Sequence, residues 1–222
     1  MDSKKLAGEK AVEFIEDGMI VGLGTGSTVY YSILKLSEKI KSGLKIKAVS
    51  TSNSTTQIAE SLGITIVPFN EVDCVDLTID GADEVDSSMN GIKGGGGALL
   101  YEKLVALSSK KVIWVVDESK IVNTLGKYSL PIEVIPFAHH HIFKKLENLN
   151  MNPVIRKINN DIYITDGNHY IIDLFLKNIE KPYELENQLR LISGIVDTGL
   201  FLDVADFIII GGKDGVRVIN RK

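Results

Sequence analysis

Short apolar runs alternate with stretches of helical period over the first half of the chain, and this alternation restricts the fold more than any other feature. Ile20–Leu23, Lys45–Val49, Ile64–Val67, Val75–Ile79 and Val112–Val116 have the length and side chains of strands. Thr28–Lys41 carries Val29, Ile33, Leu36 and Ile40 at i, i+4, i+7 and i+11, one helix face, and Gly43 follows as a stop. Lys5–Glu16 and Ala98–Ser108 are further helical stretches. Ser54-Thr-Thr-Gln57 has the form of a capping box for a helix that Gly63 ends. Parallel strands need long crossovers, usually helices, so this order predicts a parallel sheet covered on both faces.

The texture changes after about residue 127. Pro131–Ile135 reads as a strand and His139–Glu147 as a helix. Val154–Ile158, Ile162–Thr165 and Tyr170–Leu176 read as strands, Pro182–Ile192 as a helix with proline at its start, and Ile195–Leu202 as a strand. Phe207–Ile210 and Val216–Ile219 return to the core-strand texture across Gly211-Gly212. We therefore expect a larger α/β domain over 1–128 plus 203–222, interrupted by a smaller α+β domain over 129–202.

Composition removes several function classes. Lys and Arg number 25 against 29 Asp and Glu, a net charge of −4, which is a poor match for a nucleic-acid backbone. Cys74 is the single cysteine and can form no internal disulfide, which fits a reducing cytoplasmic setting. No apolar run approaches the roughly 20 residues of a membrane span. Met1–Lys5 leads into Leu-Ala-Gly-Glu-Lys rather than a signal-peptide apolar region.

Three segments carry the candidate chemistry. Gly22-Leu-Gly-Thr-Gly-Ser-Thr28 joins a strand to a helix, where backbone N–H groups and the helix dipole suit an anion and Thr25, Ser27 and Thr28 add hydroxyls. A plain tight turn with Ser27 or Thr28 as helix cap is the structural alternative. Ser27 stands where a dinucleotide fingerprint has its third glycine, and Ser50-Thr51-Ser52-Asn53 offers no acid for a ribose, so NAD is not expected. No Gly-Lys-Ser/Thr follows either. A small phosphorylated molecule suits the loop better than a nucleotide.

In Asp76-Leu-Thr-Ile-Asp80-Gly-Ala-Asp83-Glu-Val-Asp86, Asp80 stands at a strand end, where sites form in open α/β sheets, and Gly81 lets the chain turn. Glu84 and Asp86 read as a solvated acidic loop. A metal is disfavoured here because no histidine is near and the spacing is not that of an EF-hand. In Gly91-Ile-Lys93-Gly-Gly-Gly-Gly97, four consecutive glycines are entropically costly and need a reason. They open a helix on which Leu100, Leu104 and Leu107 form an apolar stripe. Glu102 is the lone carboxylate of that helix; burial would raise its pKa toward the range of a base, while a dipole-complementing or Lys103-pairing role remains open. His139-His-His141 cannot converge on one ion from a helix, Cys74 and Trp114 read as core, and no metal site is expected.

Taken in order, the Gly22–Thr28 loop, Asp80-Gly-Ala-Asp83, Lys93-Gly-Gly-Gly96, Glu102-Lys103, Asp117-Glu-Ser-Lys120, Leu125-Gly-Lys127, Leu130-Pro-Ile-Glu-Val-Ile-Pro136 and Thr198-Gly-Leu-Phe201 resemble the ribose-5-phosphate isomerase type A family over most of the chain. The resemblance implies an α/β fold, with a Rossmann-like parallel-sheet catalytic domain and a smaller inserted α+β (ferredoxin-like) domain. It implies an aldose-ketose isomerase that interconverts D-ribose 5-phosphate and D-ribulose 5-phosphate in the non-oxidative pentose phosphate pathway. No metal or organic cofactor is implied, and the chain would be a cytoplasmic homodimer or homotetramer, with the 129–202 domain contributing to oligomerisation. Carried over by position, Glu102 is the base, and Asp80, Asp83 and Lys93 contact the sugar and reacting oxygens. Thr25, Gly26, Ser27 and Thr28 hold the substrate, chiefly its phosphate. Gly81, Ala82, Gly94, Gly95 and Gly96 line the site, as does Lys120, and Lys4 reaches the phosphate, with Lys5 adjacent to it. Gly97 departs from relatives, which often carry alanine there.

Three other functions suit these residues less well. A sugar-phosphate deaminase would need an acid/base histidine near the site, but His139, His140, His141 and His169 all lie in the smaller-domain stretch; a CoA-transferase-like enzyme is the other relative considered. A sugar-phosphate sensor coupled to DNA would need a basic recognition module, for which residues 1–20 leave no room. A nicotinamide oxidoreductase lacks its ribose-binding acid.

Overall fold

The structure is a computed structural model that describes residues 2–221, so Met1 and Lys222, which the expected domain limits include, lie outside the described residues. The first half contains α1 (Ser3–Ala11), β1 (Ile20–Leu23), α2 (Ser27–Lys41), β2 (Lys47–Ser50), α3 (Asn53–Ser61), β3 (Leu77–Asp80), β4 (Glu84–Val85), β5 (Gly91–Ile92), α4 (Leu99–Leu107) and β6 (Val112–Asp117). The second half adds β7 (Leu130–Val134), α5 (His139–Asn148), β8 (Pro153–Ile155), β9 (Lys157–Ile158), β10 (Asp161–Ile162), β11 (Tyr170–Leu174), α6 (Pro182–Arg190), β12 (Ile195–Thr198), β13 (Leu200–Phe201), β14 (Phe207–Gly212) and β15 (Gly215–Asn220).

These elements divide into two units. The first gathers 2–82, 101–121 and 203–221. Its sheet has the order β15-β14-β6-β3-β1-β2, parallel except for the β14–β15 hairpin, so the chain is α/β as expected. Val21, Leu23, Ile79, Ile113, Val115 and Ile209 pack with Ala7, Ala11, Val29, Ile33 and Leu36 of the helices. The predicted helix 5–16 begins earlier: Asp2 caps α1 by accepting from the Lys4 N–H at 3.0 Å, and a tighter turn at Val12–Phe14 completes it. The predicted strand 64–67 is a single bridge from Ile66 to Ala48. The capping box expected at Ser54–Gln57 does not form, because Ser52, two residues earlier, accepts the Thr55 N–H.

The second unit gathers 83–100 and 122–202. It therefore takes up Asp83, Lys93 and the four glycines, which the sequence assigned to the larger domain. Its main sheet, β12-β7-β11-β8, is antiparallel and follows a β-α-β-β-α-β path, the ferredoxin-like arrangement. Leu130, Ile132, Val134, Ile172 and Leu174 pack against Ile142 and Leu146 of α5 and Leu189 of α6. By strand alternation Glu133, Ile171 and Asp173 project from the opposite face. The run 154–158 breaks into β8 and β9 around Arg156, and 162–165 forms only β10 and an Ile164–Tyr170 bridge.

A small sheet, β13-β5-β4, was not foreseen. It corrects the solvated-loop expectation for Glu84, which is buried and accepts the Gly126 and Tyr128 N–H groups at 2.7 Å each. Asp86 keeps partial exposure and accepts the Ser88 and Asn90 N–H groups as a turn former. Trp114 is fully buried, whereas Cys74 is half-buried rather than core. Among the described residues no helix is long and apolar enough to cross a membrane.

Candidate active site

In the first unit, β2 and β3 flank β1 on opposite sides, so the winding direction reverses there and the strand ends splay into a crevice. Asp80 is the last residue of β3 and is 1% exposed. A Cβ on Gly24 would overlap the Asp80 carboxylate, so glycine at 24 is what admits the acid. The N–H groups of Thr25 and Gly81 donate to Asp80 Oδ1 at 3.2 and 2.7 Å and fix its direction. Gly81 itself is not forced by shape, since a Cβ there would meet only ordinary contacts.

The loop after β1 leads into α2. Gly26 is the N-cap at φ 135°, so Ser27 and Thr28 are the first helical residues rather than caps. The exposed Ser27 hydroxyl accepts from Lys4 Nζ at 3.0 Å, while Lys5 lies 3.8 Å from Glu9. A lysine and a helix start without a side-chain cap thus meet at one point, a combination suited to an anion. The Thr25 hydroxyl turns into a cluster with Thr51 (2.9 Å), Ser52 (2.8 Å) and Thr55 (3.2 Å). The sequence reading missed this cluster. The hydroxyl-rich run Thr51-Ser-Asn-Ser-Thr-Thr56 directly after a core strand was the signal that could have revealed it.

Glu102 lies in the first turn of α4 and is 4% exposed, as is Lys103. The buried face of α4 carries Leu99, Val105 and Ala106 with these two charged residues, while Leu104 and Leu107 of the expected apolar stripe are 46% and 68% exposed. A helix that is apolar nearly all round does not by itself say which side turns inward; here Val105, packed with Val49 and Val75, decides it. Lys120 ends a short turn after β6 and is half-buried. Ala82 is half-buried at the last position of the unit's first segment.

In the second unit, the Asp83 and Lys93 backbones are tied to Ile92 and Gly199 by N–H···O bonds of 2.8 and 2.9 Å. Lys93 is 2% exposed, with Nζ 5.4 Å from the centre of the Phe201 ring. Asp83 Oδ2 accepts the Gly95 N–H at 2.8 Å. The glycine carbonyls turn the other way. Arg156 donates to Gly94 O and Gly95 O at 2.8 and 3.2 Å, and the Tyr163 hydroxyl to Gly96 O at 3.3 Å. Gly97 has φ +84°, and a Cβ on it would run into the Tyr163 ring and hydroxyl. Burial, and then the Asp83 charge, hold the Tyr128 phenol above its ordinary pKa. The Arg156 and Tyr163 contacts were also missed; they reach across more than sixty residues of sequence, and no local pattern announces them.

Among the described residues no group of three or more His, Cys, Asp or Glu side chains is placed to hold a metal ion. His139 turns its Nδ1 to Pro136 O at 2.8 Å, and the His140 and His141 ring centres stand 6.1 Å apart.

Comparison with known proteins bears on this arrangement. The family model described as ribose 5-phosphate isomerase A (phosphoriboisomerase A) matches residues 47–215. A protein of Levilactobacillus brevis named ribose-5-phosphate isomerase A is 51% identical over 221 residues, 99% of this chain and 97% of that protein. Its Streptococcus gordonii namesake is 51% identical, covering 98% of this chain and 97% of its own. Among solved structures, a D-ribose-5-phosphate isomerase in complex with phospho-erythronic acid matches with a TM-score of 0.95 and 40% identity, over 99% of this chain and 98% of that one. Ribose 5-phosphate isomerase A from Methanocaldococcus jannaschii matches with a TM-score of 0.93 and 37% identity over the same shares.

Proposed function

The chain belongs to the ribose 5-phosphate isomerase A family, a family of isomerases, and from that premise we propose that it interconverts D-ribose 5-phosphate and D-ribulose 5-phosphate through an enediolate, with Glu102 as the base. The observation that carries the reading is a carboxylate buried in the first turn of an apolar helix, in a unit that also presents a lysine at an open helix start. A solved relative holds phospho-erythronic acid, a phosphorylated sugar acid, which agrees with a site that takes a phosphate at one end and negative charge at the other.

Isomerisation moves one proton between C1 and C2 and another between O1 and O2. Glu102 takes the proton from C2 and returns it to C1, a role that contributes about 10²–10⁴-fold. Lys93 supplies positive charge to the developing oxyanion with help from glycine N–H groups, and the loss of one such donor costs about 10²–10³-fold. Asp80 hydrogen-bonds a hydroxyl and assists the oxygen proton transfer. Asp83 orients the sugar and, through Gly95, the glycine loop. Lys4, Thr25, Gly26, Ser27 and Thr28 hold the phosphate, and Gly81, Ala82, Gly94, Gly95, Gly96 and Lys120 complete the lining. Phosphate binding energy then orients C1 and C2.

The reading includes no cofactor, a cytoplasmic setting in the non-oxidative pentose phosphate pathway, and assembly as a homodimer or homotetramer. A solution mass equal to one chain would remove the last element. The central test is conversion of ribose 5-phosphate by purified, chelator-treated protein. Formation of ribulose 5-phosphate supports the proposal; no conversion sinks it, and conversion lost only after chelation sinks the metal-free part.

A further inference from the structure

Four consecutive glycines are the most flexible backbone a chain can offer, yet the proposed chemistry needs Lys93 and its neighbouring N–H groups held still. The second unit contains a device suited to that task. Arg156 sits where the chain passes from β8 to β9, with its N–H bonded to Ile171 O and its carbonyl accepting from the Tyr163 N–H, each at 2.9 Å. Its Nε and Nη2 grip both oxygens of Asp173 at 2.8 and 2.5 Å. Its Nη1 is then aimed at Gly94 O and Gly95 O. Both partners of the pair are shielded, at 15% and 13% side-chain exposure, so these bonds form in a medium of low polarity.

We propose that Arg156, locked by Asp173, is a positioning residue for the reaction: it clamps the Lys93–Gly97 loop and thereby aims Lys93 and Asp83.

In a trans peptide the C=O and the following N–H point in opposite directions. With Gly94 O and Gly95 O turned to Arg156, the N–H groups of Gly95 and Gly96 point away from it. The Gly95 N–H meets Asp83 Oδ2 at 2.8 Å, so Arg156 and Asp83 hold opposite ends of one peptide group. Tyr163 adds a third hold at Gly96 O, and burial keeps its phenol above the ordinary pKa, protonated and able to donate. Burial opposes the Arg156 charge, but Asp173 outweighs it and leaves the guanidinium pKa raised. Four contacts at fixed angles need a planar fork. A lysine has one nitrogen and cannot serve Asp173 and two carbonyls in this geometry.

The inference rests on the isomerase reading, and the test separates the two. Arg156→Ala and Arg156→Lys are assayed with ribose 5-phosphate beside the wild type. A displaced loop at the reacting end lowers kcat by about 10²-fold in both variants, and KM stays within about threefold because the phosphate contacts are untouched. Methylguanidinium, added at concentrations that leave the wild type unchanged, restores at least about fivefold of kcat to Arg156→Ala, which a merely structural role would not allow. Amide exchange at residues 94–97 speeds up in both variants. Arg156→Lys keeps the charge and most of the volume, so it carries the test should Arg156→Ala not fold. Folded variants with kcat within about twofold of wild type, no rescue by methylguanidinium, or unchanged exchange at the loop overturn the clamp alone. A wild-type chain that does not isomerise ribose 5-phosphate overturns both proposals.

Discussion

At the scale of single residues, the site depends on where a side chain is absent as much as on where one is present. Glu102→Gln keeps the shape of the buried carboxylate and removes its basicity. We expect kcat to fall by about 10²–10⁴-fold with little change in KM; steady-state kinetics with near-normal kcat would falsify the base assignment. Gly97 makes the second case. Its φ of +84° disfavours any Cβ, and Tyr163 fills the space a Cβ would take. Gly97→Ala is therefore expected to cost more than about 1 kcal/mol of stability, read as a lower urea midpoint, and Gly97→Ala with Tyr163→Leu to recover part of it. An unchanged midpoint in Gly97→Ala counts against this account. Residues of this kind differ in how legible they are. Asp80 and Gly24 could be read because the first closes a core strand and the second directly follows one. Glu84 could not, because the N–H groups that satisfy it belong to Gly126 and Tyr128, more than forty residues away. Arg156 was unreadable for the same reason.

At the scale of elements, α2 is the helix whose start matters. Gly26 leaves the first turn without a side-chain cap, and Lys4 from α1 reaches Ser27. Lys4→Ala is expected to raise KM for ribose 5-phosphate and the inhibition constant of inorganic phosphate together, by about three- to thirtyfold, with kcat nearly unchanged. Kinetics in which kcat falls and the phosphate constant stays fixed would move Lys4 out of the anion site. The helical period of α2 made this element easy to predict from sequence. The orientation of α4 was not, since leucines on several faces left the inward side to be chosen by Val105 and its partners in the sheet. The strands β4 and β5 were hidden because each has only two residues, too few to show a period, whereas the predicted strand Ile195–Leu202 splits at Gly199 into β12 and β13.

At the scale of the whole molecule, one buried carboxylate marks the pH dependence of folding. Glu133 on β7 accepts from the Thr165 hydroxyl and from His169 Nδ1 at 2.9 Å each. Burial raises its pKa above the ordinary 4.5, against the pull of those two hydrogen bonds. Between 4.5 and the raised value the folded chain keeps a proton that the unfolded chain releases, so this group's contribution to stability declines as pH rises through that window. Glu133→Gln should flatten the slope there, measured as urea-unfolding free energy against pH. Equal slopes in the two proteins would show that Glu133 does not set it. β14 lies beside β6 in the sheet although far from it along the chain, and Phe207–Ile210 could be read as a strand because it keeps a core-strand composition.

That return has a consequence for synthesis. β14 pairs with β6, and α1 lies against it so closely that a Cβ on Gly211 would overlap the Ser3 carbonyl. Lys4 is therefore seated by a strand that emerges from the ribosome about two hundred residues after it. Until then the nascent chain carries an exposed sheet edge at β6 and an unseated helix. The proposed hold on a phosphorylated ligand therefore waits for β14 to emerge and arrives in one step rather than gradually.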